Sequence, residues 1–229
     1  MRLFRLLALL PLLLAGCTTA APAASPPRLR TVVTLGDSVP AGTACGCDPF
    51  PTVYARAQHA TDVNLAAAGS TATDVRLAVP GSRDVLATAA EVIIMTGAND
   101  MAPSFSDPTR YAAVAAEIEA DVSASVAAIE QINPVPVIVL GYWNVVHDGR
   151  VAAGEYGPDG VQAATDSTNV VNSALEAAAQ QSGATYISTF PAFHGTDGRS
   201  DPTALLAPDG DHPNAAGHTA IAALLPPLR

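Results

Sequence analysis

The amino-acid sequence predicts a three-layer α/β/α fold around a five-stranded parallel sheet, built by one domain from residue 31 to residue 229. Three observations predict it. Short β-branched runs alternate five times with Ala-rich helical stretches, and parallel neighbours need a helical right-handed crossover between successive strands. Two of the runs, Val-Ile-Ile-Met at 92–95 and Val-Ile-Val-Leu at 137–140, are continuously apolar, as in strands buried on both faces. The chain has 229 residues, 49% of them hydrophobic and 14% charged, enough for one well-developed core. No internal repeat or second domain boundary interrupts it.

The elements follow in order. The strands are expected at Thr31 to Leu35, Asp62 to Leu65, Glu91 to Thr96, Val135 to Leu140 and Thr185 to Ser188. Helical segments are expected at Thr52 to His59, Thr71 to Ala78, Arg83 to Ala89, Thr109 to Ile132, Gln162 to Gln181 and Asn214 to Leu225. Asp107 suits the N-cap of the fourth helix and Pro108 its first turn, while Gly183 suits the C-terminal stop of the fifth. Between the fourth strand and the fifth helix lies the largest insertion, Gly141 to Val161. It is polar and Gly-rich, with Tyr142, Trp143 and Tyr156 as its aromatics, and reads as a loop with no apolar lid.

The first 30 residues stand apart from this pattern. Arg2 and Arg5 precede an apolar stretch from Leu6 to Ala15, which reads as an export signal because ~10 apolar residues fall short of the ~20 that span a bilayer. Leu14-Ala15-Gly16-Cys17 is similar to the lipobox of bacterial lipoproteins, in which the Cys is acylated and becomes the mature N-terminus. Residues 18 to 30 are Pro/Ala-rich and read as a tether. The expected address is therefore the outer face of a bacterial cell membrane, held by a lipid anchor, or the medium.

Charge narrows the partners. The eleven basic residues are all Arg, against 21 acidic ones, for a net charge of −10 and no Arg cluster after residue 30. Nucleic acid is excluded, since its binding starts from phosphate neutralisation. Three Cys make no disulfide scaffold.

In a parallel sheet, function collects at the carboxyl ends of the strands. There the chain carries Gly36-Asp37-Ser38-Val39 after the first strand, Ala68-Gly69-Ser70 after the second, Gly97-Ala98-Asn99-Asp100 after the third, and Asp209-Gly210-Asp211-His212-Pro213-Asn214 before the last helix. A serine hydroxyl is a weak nucleophile until a base takes its proton, which His212 can do for Ser38. A carboxylate must hold the imidazole in one tautomer. Asp209, three residues earlier across the Gly210 turn, can fold back onto it, whereas Asp211, an immediate neighbour, tends to point away.

These blocks resemble those of the SGNH (GDSL-like) hydrolases, whose marker Ser, Gly, Asn and His fall, in that order, on Ser38, Gly69, Asn99 and His212. The resemblance runs from residue 31 to 229. The first block reads Val39 where the name-giving pattern has Leu, an apolar exchange that leaves Ser38 untouched. The resemblance implies a flavodoxin-like fold, Asp209 as the orienting acid, and an oxyanion hole made by the Ser38 and Gly69 backbone N–H groups and the Asn99 amide. It implies no cofactor. Its substrates include carbohydrate acetyl esters, lysophospholipids and thioesters.

Rival readings are weighed residue by residue. Singly, Ser38 can cap a short helix begun by Pro40, Gly69 can be an ordinary turn and Asn99-Asp100 a strand end. Jointly those readings leave their gathering at one sheet edge unexplained. Asp197, Asp201, Asp209 and Asp211 are an acidic region without the spacing of a calcium loop, and Cys45-Gly46-Cys47 lacks a second ligand pair for zinc, so no metal is expected. Cys45 and Cys47 are either a disulfide or a free pair. His59 and His218 read as packing or surface residues; His147 and His194, in loops, can contact substrate but show no carboxylate at a telling spacing. There is neither a phosphate-binding Gly-rich loop nor a G-x-S-x-G elbow.

The expectation is an exported serine esterase, monomeric, taking short acyl groups on a carbohydrate or small alcohol and meeting the membrane through its lipid anchor alone. The alternatives are a lysophospholipase or thioesterase, an acyltransferase, or a catalytically silent binding module.

Overall fold

A computed structural model describes residues 30–229. The export signal, Cys17 and all of the tether before residue 30 lie outside the described residues. The order of elements is β1 (Thr31–Gly36), α1 (Ser38–Ala41), α2 (Phe50–Ala57), β2 (Thr61–Asn64), α3 (Ala72–Gly81), α4 (Arg83–Leu86), β3 (Glu91–Met95) and α5 (Ala98–Met101). It continues with α6 (Tyr111–Ile132), β4 (Val137–Leu140), α7 (Gly149–Ser182), β5 (Thr185–Ile187), α8 (Phe190–His194) and α9 (Ala215–Ala222).

The five strands form one parallel sheet in the order β2-β1-β3-β4-β5. Every residue of β3 and β4 is buried, in keeping with their continuous apolar runs. From β1 the chain steps one way to β2 and then the other way through β3, β4 and β5. Right-handed crossovers therefore put α2 on one face and α3, α6 and α7 on the other. The packing agrees: α6 lies against both α3 and α7, and α2 against α9. The reversal beside β1 opens a crevice at the carboxyl ends of β1 and β3. Ser38 follows the first of these strands and Asn99 the second.

Local chemistry explains most boundaries. Asp107 accepts from Thr109 N–H and caps a 3-10 turn, Pro108–Arg110, that runs straight into α6. Thr71 and Asp74 form a reciprocal capping box at the start of α3. Gly183 ends α7 with φ of 76°, a left-handed conformation that costs glycine little.

The structure departs from the sequence reading in the insertion. Helix α7 begins at Gly149, capped by Asp148, and breaks at Gly157, where φ is 65°. Pro158 then starts the long second segment. Residues 149–156 of the presumed loop are thus a short helix and 158–161 the start of the long one, hidden because Gly154, Gly157, Pro158 and Gly160 read as breakers. The segment Arg83 to Ala89 is shorter than expected, a single turn ending at Leu86, and α1, α5 and α8 are one-turn helices that carry no periodicity.

Candidate active site

The turn bearing Ser38, the candidate nucleophile, is built from the sheet outward. A Cβ on Gly36 would lie 2.1 Å from the Met95 carbonyl oxygen, so only glycine lets β1 run this close to β3 at its end. Asp37, wholly buried, then caps α1 by accepting the Val39 N–H at 3.0 Å, and its other oxygen accepts the Tyr142 hydroxyl. Burial pushes the Asp37 carboxyl up to about 7, although the Tyr142 and Val39 hydrogen bonds pull the other way. Ser38 is the first residue of α1 and not its cap; the capping role weighed for it belongs to Asp37.

The candidate base, His212, sits in a turn closed by its own hydrogen bonds. Leu206 and Pro213 bridge its two ends, and Ala207 N–H donates to the His212 carbonyl at 2.7 Å. Asp209 Oδ2 lies 2.8 Å from His212 Nδ1, while its Oδ1 accepts the backbone N–H groups of Asp211 and His212 at 3.0 and 3.1 Å. Asp211 stands farther from the ring, at 3.7 Å. Burial would raise the Asp209 carboxyl, but the His212 N–H, the imidazole and the Asp211 N–H together hold it below the usual carboxylate range. Burial moves Asp211 the opposite way, against the pull of His212 and His147. Gly210, with φ of 72°, makes the turn possible and also lets α7 approach, because a Cβ there would meet the Val151 Cβ at 2.4 Å. Across the same contact, Asp148 N–H donates to the Gly210 carbonyl at 2.7 Å. No hydrogen bond joins Ser38 to His212 among the described residues, and such contacts commonly tighten only when substrate binds.

The three expected oxyanion donors occupy adjoining loops. Asn99 lies in α5 and donates one amide hydrogen to the Ser70 carbonyl at 2.9 Å, which ties the loop after β3 to the loop after β2. The second hydrogen of that amide remains for another acceptor. Gly69, exposed and with φ of 84°, has open space where a side chain would stand. Ser38 and Asn99 line one cavity of about 200 Å³ with Val39, Ala98, Val145, Val146, His147, Tyr156 and Asp211; Gly69, Asp209 and His212 lie outside its lining.

The aromatics of the insertion and two nearby histidines are held by contacts that no local signal shows. Tyr142 and Trp143 are 1% and 2% exposed, and Trp143 stacks on Phe193 with centroids 4.0 Å apart. Both rings serve packing. His147 and His194 do have carboxylate partners, contrary to the sequence reading: His147 Nδ1 lies 2.7 Å from Glu155 and His194 Nε2 lies 2.9 Å from Asp148. The first partner is on the unread short helix. The second is 46 residues away, beyond any local signal.

The remaining candidates are structural. His218 is buried and its Nδ1 accepts the Phe50 N–H at 3.2 Å; burial pushes its pKa down to about 4. His59 falls just past α2 with φ of 52°. Cys45 and Cys47 are joined as a disulfide beside His218, so neither sulfur is a free thiolate ligand. Asp197 and Asp201 accept N–H groups of their own turns, from Arg199 and Thr203.

Comparison with known proteins follows this geometry. A model of the GDSL-like Lipase/Acylhydrolase family matches residues 34–220. Among solved structures, the chain is similar to phospholipase A1 from Streptomyces albidoflavus NA297, at 19% identity and a TM-score of 0.65 over 86% of this chain and 100% of that one. It is similar to an extracellular lipase from Streptomyces rimosus, at 18% identity and a TM-score of 0.62 over 86% of this chain and 100% of that one. The lipase Lip_vut3 from a goat rumen metagenome gives 16% identity and a TM-score of 0.62 over 85% of this chain and 94% of that one. At these identities the structural likeness is one of fold. No curated protein matches the chain.

Proposed function

We propose that this chain, which belongs to the GDSL-like lipase/acylhydrolase family, is a serine esterase that removes short acyl groups from small alcohols through Ser38, His212 and Asp209. The observation that carries this reading is the 2.8 Å bond between Asp209 and His212 Nδ1, at the same sheet edge as the turn bearing Ser38. With Nδ1–H donated to Asp209, the Nε2 lone pair is left to take the Ser38 proton as Oγ attacks the ester carbonyl. The tetrahedral oxygen then meets the Ser38 and Gly69 N–H groups and the free Asn99 hydrogen, each such donor contributing typically ~2.7–4 kcal/mol. The imidazolium returns its proton to the departing alcohol. Water, deprotonated by the same ring, releases the acid and restores Ser38.

Short acyl groups suit a cavity of about 200 Å³. A long chain needs an apolar tunnel, at ~0.8 kcal/mol per buried methylene. Export and a lipid anchor at Cys17 belong to this reading on the strength of Leu14-Ala15-Gly16-Cys17. Mass analysis finding an acylated Cys17 at the mature N-terminus supports the anchor; a mature chain beginning elsewhere rejects it.

The test of the chemistry is a fluorophosphonate label and an ester panel. Wild-type protein should be labelled at Ser38 and prefer acetyl to octanoyl esters of one alcohol. A tenfold preference for octanoyl would instead make it a lipase or lysophospholipase.

A further inference from the structure

We propose that His147 is a substrate-binding residue that hydrogen-bonds a free hydroxyl on the alcohol part of the ester, and so directs the site toward monoacyl esters of polyols. The proposal rests on the esterase reading above and names its substrate class. His147 lines the cavity that Ser38 lines. Its Nδ1 lies 2.7 Å from Glu155 Oε2 and 3.0 Å from the Tyr156 hydroxyl. A carboxylate only accepts, so Nδ1 carries the proton, and the neutral ring presents a lone pair at Nε2. That atom has no hydrogen-bond partner among the described residues, and the side chain is 33% exposed. The pairing is that of Asp209 and His212, repeated at a second imidazole.

The ring is also fixed in direction. It stacks on Tyr156 with centroids 5.7 Å apart and planes 7° from parallel, and Tyr156 packs in turn on Phe105 at 5.1 Å. Stacking alone would be met by any aromatic ring. The carboxylate on Nδ1 fixes which ring nitrogen accepts, in a lining that sets apolar Val39, Val145 and Val146 beside polar Asn144 and Asp211. An acetyl or butyryl group has no hydroxyl to offer that acceptor, so the hydroxyl it meets belongs to the alcohol. Glu155, which acts through the ring, is a positioning residue.

The test compares kcat/KM for glycerol monoacetate and propyl acetate, two esters that differ in the free hydroxyls. The ratio of the two should fall about tenfold in His147→Phe, which keeps the stacked ring and loses the acceptor. It should stay within about threefold of wild type in His147→Gln, whose amide can reach the Nε2 position. Glu155→Gln should lower the ratio by an intermediate factor. An unchanged ratio in His147→Phe, or equal loss in Phe and Gln variants, overturns the assignment. These outcomes stay distinct from failure of the esterase reading: a wild-type protein that hydrolyses neither ester and leaves Ser38 unlabelled sinks both, whereas a labelled, active protein with an unaltered ratio sinks His147 alone.

Discussion

Two imidazoles at the carboxyl edge of the sheet are held by carboxylates at Nδ1, and the chain builds them differently. His212 and Asp209 belong to one turn, three residues apart, in which the carboxylate also accepts two backbone N–H groups. Their side chains are 14% and 36% exposed. His147 takes its carboxylate from Glu155, eight residues on and in a helix; these side chains are 33% and 52% exposed. Under the proposed mechanism the difference separates two jobs. A base must keep one tautomer and one direction through every turnover, which a self-bonded turn provides. A residue that meets variable alcohols tolerates the looser hold of an exposed pair, whose net stabilisation is typically ~0–1 kcal/mol.

The sharpest way to break this contrast is to remove each ring. His212→Ala should lower kcat/KM by about 10³ or more, Ser38→Ala by as much, and the double variant by no more than either. His147→Ala should cost far less, and equal losses in steady-state assays would erase the distinction. The carboxylates come next. Asp209→Ala should fall short of His212→Ala, at about 10², because Asp209 orients the base without making bonds. Glu155→Ala should show a smaller loss.

Two stability measurements sharpen the comparison further. Gly210→Ala places a methyl against Val151 at a left-handed φ and should destabilise by roughly 2–3 kcal/mol, whereas Gly157→Ala, also left-handed but facing open space, should cost about 1 kcal/mol. Thermal unfolding of both variants checks the order. The smallest expected effect is in the pH dependence of the wild-type protein, where two shifts oppose each other. Asp37 holds its proton in the folded protein up to about 7, whereas the unfolded chain releases it near the ordinary value of 3.8. Its contribution is fully present below that ordinary value and is lost as pH rises to about 7. His218, with a folded value of about 4 against 6.5, contributes the reverse: stability present above 6.5 and lost as pH falls to about 4. The two oppose each other, so the wild-type curve is flatter than either alone. Asp37→Asn should remove the loss on raising pH and gain stability relative to wild type between pH 5 and 8, read from urea midpoints.

How much of this was legible in the sequence follows from where the determinants lie. The turn around His212 was readable because both partners, the glycine between them and the capping Asn214 fall within six consecutive residues. The sheet was readable because burial on both faces of β3 and β4 demands unbroken apolar runs. Ser38, Gly69 and Asn99 are candidates by their places after strands, a topological signal, and by the family resemblance. The segment from 141 to 161 was opaque for the opposite reason. Its helix has too few apolar residues to show a period, and Tyr142 and Trp143 are buried by contacts to Asp37, Phe193 and Asn172 that are distant in the chain. The burial that raises Asp37 likewise comes from the assembled core and has no signature in Gly-Asp-Ser.

The hydrogen bond from Asp148 N–H to the Gly210 carbonyl, with Val151 seated against Gly210, joins the two regions mechanically. The short helix that walls the cavity cannot swing outward without pulling on the turn that aims His212. Under the proposed mechanism, a bulky alcohol that wedges the wall aside would still bind, but beside a misaimed base. Selection by size should register in kcat, with KM little changed across a series of widening alcohols. The amide of Asp148 is the natural reporter: its deuterium uptake should quicken when such an alcohol occupies the site.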